Sequence, residues 1–234
     1  MKSIAIIALL APVGAMAQAP FSLPAGCTAF LTVQEASCTV DHHFRCEGDP
    51  EGTRRRVSLD EDRMTYMGQI DAETQWIESY HPLSGHTERL ESHPAEPASF
   101  SDLITNNVDV YDFRTTSSEV GTTRYVGKDI LTGRVVTIDD VPLEETKFEI
   151  TALAPDGTLL WRSEGHEFIN RDWRLFLSGT ATITNTTETF ETDNTPKEFI
   201  FPGEAGFLSS KPKYGCGVVM SAAPELQEFS NDNI

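Results

Sequence analysis

Lys147–Thr184, KFEITALAPDGTLLWRSEGHEFINRDWRLFLSGTATIT, decides the fold. Phe148, Ile150 and Ala152 alternate with Lys147, Glu149 and Thr151, the period of two that a half-buried strand requires. Pro155-Asp156-Gly157 supplies a turn, because Pro presets φ, Asp bonds its own backbone and Gly accepts positive φ. Thr158–Trp161 leads back out, and Asn170-Arg171-Asp172 marks a second corner. From Trp173 to Thr184 the alternation is sustained, with Trp173, Leu175, Leu177, Gly179, Ala181 and Ile183 on one side. Strand, turn, strand, corner, strand is an antiparallel sheet with one drier face.

The same pattern extends in both directions. Strands are expected at Cys38–Cys46, Arg54–Leu59, Met64–Ile70, Gln75–Tyr80, Thr87–Glu91 and Val108–Thr115. Arg124–Leu131 and Arg134–Ile138 flank Thr132-Gly133, read as a hairpin turn, and Asp139–Glu145 reads as an acidic connector. Cys27–Ser37 has no decisive pattern and leaves room for a short helix, and Ala98–Thr105 is the best helix candidate. A Thr-rich strand or hairpin is expected to run on to Thr192. Phe199–Phe207 is broken by Pro202, Gly203 and Gly206, so it reads as a loop over the sheet. About ten short strands and one short helix predict an all-β fold with minor α: a single antiparallel sheet, curled into a half-barrel or barrel, or a two-layer sandwich. Residues 18–234 form one domain with an extended C-terminal tail.

Residues 1–17 have the layout of a signal peptide. Lys2 opens it, Ile4–Leu10 is apolar, and Ala15-Met16-Ala17 is a small-x-small cleavage signal. Cleavage after Ala17 predicts a periplasmic or secreted bacterial protein with no membrane span. The whole chain has 18 Lys and Arg against 36 Asp and Glu, a net charge of −18. Such a body repels nucleic acid. Four cysteines in an oxidising compartment suggest two disulfides. Cys38 and Cys46 on one strand are about 26 Å apart at 3.3 Å per residue, too far to pair. The expected pairing is Cys27–Cys38 with Cys46–Cys216; the alternative is Cys27–Cys46 with Cys38–Cys216.

Three groups of side chains are candidates for function. Arg162, Glu164 and His166 fall on one face of a strand; a solvated sheet face is the reading they favour, and acid–base chemistry is the alternative if they are buried. His42 and His43 point to opposite faces, and His42 shares a row with Cys38, Val40, Phe44 and Cys46, so a core histidine is expected and no metal. His81, His86 and His93 lie around a turn without a ligand motif. Asp60-Glu61-Asp62, Asp139-Asp140 and Glu144-Glu145 lack the spacing of a calcium loop. No phosphate loop, nucleophile elbow or His-Glu-x-x-His pair is present, and no cofactor is expected.

In its strand order the chain resembles uncharacterised exported bacterial β-proteins. Its layout also looks a little like the periplasmic lipoprotein-carrier class, in which a curved sheet holds an apolar ligand under a lid. No residue motif of that class matches, so no functional residue transfers. The resemblance and the aromatic residues together lead to a non-catalytic carrier for an apolar small molecule or lipid, lined by Trp76, Trp161, Trp173, Phe176 and Phe201. A hydrolytic envelope enzyme using Glu164, His166 and Arg162, and an envelope interaction module, are the alternatives.

Overall fold

The computed structural model describes residues 21–217. The expected signal peptide and the end of the C-terminal tail, residues 218–234, lie outside the described residues. Thirteen strands and one helix follow in chain order: β1 (Cys27–Glu35), β2 (Val40–Cys46), β3 (Arg54–Leu59), β4 (Met64–Ile70), β5 (Trp76–His81), β6 (His86–Leu90), α1 (Phe100–Asn106), β7 (Val108–Ser117), β8 (Gly121–Ile138), β9 (Val141–Leu153), β10 (Leu159–Asn170), β11 (Leu175–Asn185), β12 (Thr189–Asp193) and β13 (Pro196–Ile200).

They form one antiparallel sheet in which β1 to β12 are a meander and β13 pairs with β1. The sheet is not closed, yet it rolls up. Leu31, Val33 and Phe199 pack in one cluster with Leu143, Phe168, Leu175 and Leu177, although β1 and β13 stand far from β9–β11 in sheet order. Between β12 and β13 only Asn194 and Thr195 span the gap. Asn194 N donates to Gly179 O at 2.8 Å, and Thr195 O accepts from Ala36 N at 3.0 Å, so this link touches both edges.

β8 and β9 are the longest strands, with 18 and 13 residues. Their far ends project as a two-stranded ribbon. Thr132-Gly133 is a bulge inside β8, not the expected turn, because the ladder shifts between Leu131 and Val135 and then resumes. The turn is at Asp139-Asp140, both with positive φ, +47° and +63°. Aspartate tolerates the left-handed conformation that a two-residue hairpin needs. What reads as an acidic connector is therefore a turn followed by strand.

The N-terminal helical reading is also corrected, since Cys27–Glu35 is a strand. The helix near Ala98–Thr105 is present as α1. Ser99 caps it, accepting from Asp102 N at 3.1 Å, and Asn107 ends it at φ +63°. Phe100 and Leu103 seat it on Ile169, with Leu131 and Phe176 beside them.

β2 and β3 are covered on both faces. Val40, Phe44, Val57 and Leu59 pack under Phe21, Leu23, Phe207 and Leu208, so the leader and the tail serve as a second layer. Three contacts fix the tail to β1: Leu208 N donates to Thr32 Oγ1 at 3.0 Å and Lys213 N to Gln34 Oε1 at 2.9 Å, while Gln34 Nε2 donates to Lys211 O at 3.2 Å.

The disulfides are Cys27–Cys46 and Cys38–Cys216. The favoured pairing, Cys27–Cys38 with Cys46–Cys216, is thus overturned and the alternative holds. The reason is the strand nature of β1: its hairpin with β2 sets Cys27 directly opposite Cys46 and leaves Cys38 at the turn. There Cys38 N donates to Tyr214 O at 2.9 Å, beside Cys216. Two disulfides in a described chain without free cysteine accord with an oxidising, extracytoplasmic environment.

Closing loops of 178 and 19 residues should restrict the unfolded chain to different degrees. Loop entropy gives about 5 kcal/mol for Cys38–Cys216 and about 3 kcal/mol for Cys27–Cys46. Urea denaturation of the two double-serine variants is expected to show the larger loss for Cys38/Cys216. Equal losses would contradict the dependence on loop length.

Candidate functional site

The five aromatic residues expected to line a single cavity occupy three places. Trp76 and Trp161 join Tyr111, Phe113, Tyr125 and Phe148 in an aromatic cluster, with Trp76–Tyr125 and Trp76–Phe113 ring centroids 5.4 and 5.6 Å apart. Trp173 lies in the β10–β11 corner against Phe199 and Phe201, at 5.5 and 6.0 Å. Phe176 meets Phe100 of α1 edge to face at 5.8 Å. Arg162, Glu164 and His166 are all exposed on β10.

Two concavities open beside the ribbon. One, of about 580 Å³, runs between the ribbon, β10–β11 and the start of β13. Val136, Ile138, Phe168 and Pro196 give it apolar walls; Arg134, His166, Lys197 and Glu145 stand with threonines around it. Arg134 is paired to Glu145 at 2.9 Å, and Lys197 is exposed. The other, of about 500 Å³, lies across the ribbon tip and is acidic, with Asp139, Asp140, Glu198 and Glu204 over Phe201 and Ile200. Asp139 Oδ2 accepts from Phe199 N at 2.8 Å, tying the tip of the ribbon to β13.

Inside the roll the sheet carries charge. Register places Asp41, Ser58 and Tyr66 on one face, together with the adjacent His43, Arg56 and Gly68. Arg56 Nη1 is 3.5 Å from Asp41 Oδ2, and its guanidinium lies over the Tyr66 ring at 4.8 Å. Glu35 and Asp41 are almost fully buried. Burial first, and then the charge of Asp41, pushes the Glu35 carboxyl well above its ordinary value; burial raises Asp41 against the pull of Arg56. From β10, Glu167 also feels Arg56, and burial lifts it to about 7. Asp129 is raised by burial and then by Glu167 and Asp109, and Asp109 itself rises to about 6, chiefly through burial. His42 and His43 go the other way, lowered by burial to about 4 and about 3. His42 is the core histidine expected, stacked on Phe21 and bonded to Thr32 Oγ1 at 3.0 Å.

Sequence reasoning missed this interior. The clue was Arg54-Arg55-Arg56, since a strand cannot turn three consecutive residues to one side. His81 and His86 do meet, as a cross-strand stacked pair with ring centroids 4.5 Å apart. His86 Nε2 lies 3.8 Å from Glu88 Oε1, and Tyr125 OH donates to Glu88 Oε2 at 3.1 Å. Cys38, Cys216 and Glu61 come within ligand distance of one another, but the two sulfurs are spent in a disulfide.

No family model, curated protein or solved structure matches the chain.

Because Glu167 is raised in the fold, its contribution is complete below the unfolded value near 4.5 and is lost as pH rises through about 7. Glu167→Gln removes the group. Its stability relative to the parent is expected to grow between pH 5 and pH 8 by about 2–3 kcal/mol, since each tenfold gain in proton affinity is worth about 1.4 kcal/mol. Chemical denaturation at the two pH values checks this; a constant difference would show that Glu167 keeps an ordinary carboxyl pKa in the fold.

Proposed function

We propose that this is an exported, non-catalytic binding protein, periplasmic or secreted from a bacterium after cleavage at Ala17. Its ligand is an apolar or lipid-like molecule with an anionic head. The observation that carries this reading is the groove of about 580 Å³ between the ribbon and β13. That volume falls within the usual 300–1,000 Å³ of small-molecule sites. Val136, Ile138 and Phe168 offer the apolar body a floor, and Lys197 offers a cation at the rim, beside the Arg134–Glu145 pair. Phe201 and Trp173 belong to the same apolar cluster as that floor, whereas Trp76, Trp161 and Phe176 support the fold away from the groove.

The exposed row of Arg162, Glu164 and His166 gives little support to hydrolysis. General acid–base groups need a partly desolvated setting to hold a useful pKa, and only His166 borders the groove.

Titration with a fluorescent long-chain fatty acid should show one saturable site. Val136→Asp is expected to weaken it at least tenfold, about 1.4 kcal/mol, because a carboxylate replaces part of the floor. Lys197→Glu should weaken it more at low salt than at high salt. Unsaturable binding by the parent protein would sink the proposal.

A further inference from the structure

Arg54, Arg55 and Arg56 are consecutive on β3 and meet three different fates. Arg55 turns to the outer side, where Asp49 holds it through two bonds of 2.8 Å. Arg56 faces Asp41. Arg54 shares the inner face with Arg56, is 7 % exposed, and makes no ion pair among the described residues. Its Nη1 donates to Gly52 O at 2.5 Å, and its buried Nε has no hydrogen-bond partner.

The surroundings add charge of the same sign. Phe44 faces Arg55 at the end of the β2–β3 ladder, so the next residues, Arg45 and Arg54, stand opposite each other. Arg45 lies over the Phe30 ring at 4.4 Å. Arg174, from the β10–β11 corner, is the third cation. Burial, then Arg45, then Arg174 depress the Arg54 guanidinium, and no carboxylate offsets them. Glu73, a carboxylate of this region, is already engaged by Arg174 at 2.9 Å and by Ser99 and Ser101.

A buried carboxyl can take up a proton to shed its charge. Arginine has no such exit, because its guanidinium stays protonated in proteins. An unpaired cation shielded from water, with Arg45 beside it also unpaired among the described residues and Arg174 paired only to Glu73, is matched by an anion. We propose that Arg54, with Arg45 and Arg174, forms a binding site for a phosphate-type oxyanion. The planar fork of Arg54 suits two oxygens of one phosphate, and Arg45, which is exposed, extends the site toward solvent. This site is separate from the groove beside the ribbon, so the outcome of fatty-acid binding there does not bear on it.

Calorimetry of the phosphate-free protein with inorganic phosphate, at constant ionic strength, tests the proposal. Sedimentation with vesicles of phosphatidylglycerol or of phosphatidylcholine runs alongside. Saturable binding of inorganic phosphate is expected, with Tm rising by about 5–10 °C at a hundredfold excess over Kd. Arg54→Met should raise Tm without phosphate, since it removes an uncompensated charge, and should weaken phosphate binding at least tenfold. Arg45→Gln, at an exposed position, should keep the fold and weaken binding several-fold. Binding to phosphatidylglycerol vesicles alone, lost in Arg54→Met, assigns the oxyanion to a lipid head group. The site is overturned if neither phosphate nor phosphatidylglycerol binds, or if Arg54→Met binds like the parent.

Discussion

Every strand from β1 to β12 pairs with its neighbours in sequence, and one pairing breaks the rule: β13 returns to β1. The rest of the architecture depends on that return. A thirteen-stranded meander left flat would expose one face and two long edges, a condition that natural sheets avoid by curling, covering or closing. With only Asn194 and Thr195 between β12 and β13, the two ends of the sheet are tethered within a few residues of each other. Rolling follows, and with it come the packing of Phe199 and Val33 against Leu175 and Leu177 and the meeting of Arg56 with Glu167. The ribbon and the groove beside it lie at this junction because there the sheet has no further strand to add.

Much of the sheet was legible from alternation. β9, β10 and β11 were plain, since Phe148, Ile150 and Ala152 are buried while Lys147 and Glu149 are exposed. Where a strand is covered on both sides, alternation misleads. In β2 the five residues Val40 to Phe44 are all buried, Asp41 and His43 included, so the polar row that reads as a wet face lies inside the roll. The opposite row faces the tail instead of a core. β1 was obscured for the same reason: Thr32, Gln34 and Glu35 are buried polar residues that weaken any strand signal. The expected disulfides then went astray with β1, because only a hairpin brings Cys27 opposite Cys46.

The candidate sites were harder to read because they depend on distant pairs. Aromatic residues announce burial but not a common cavity: Trp161, Trp173 and Phe176 lie close in sequence and end in three clusters. The bulge beyond His166 contributes to this separation, since it shifts the register of β10 against β11 and changes which side each later residue takes. Nothing in the composition of that segment marks the extra residue.

Charge inside the roll falls into two kinds, distinguished by protonation. Glu35, Asp41, Asp129 and Glu167 are raised by burial, so they can lose their charge, and Arg56 offsets part of what remains on Glu35, Asp41 and Glu167. Their burial is tolerable in a protein without a ligand, with a stability that depends on pH. Arg54 stands one inward position along β3 from Arg56 and lacks both remedies. In a chain with twice as many acidic as basic residues, a carboxylate partner was easily available. Its absence at Arg54, when Arg55 and Arg56 each have one, leaves the inner end of the roll electrostatically incomplete, and the completion it calls for is an anion from outside the chain.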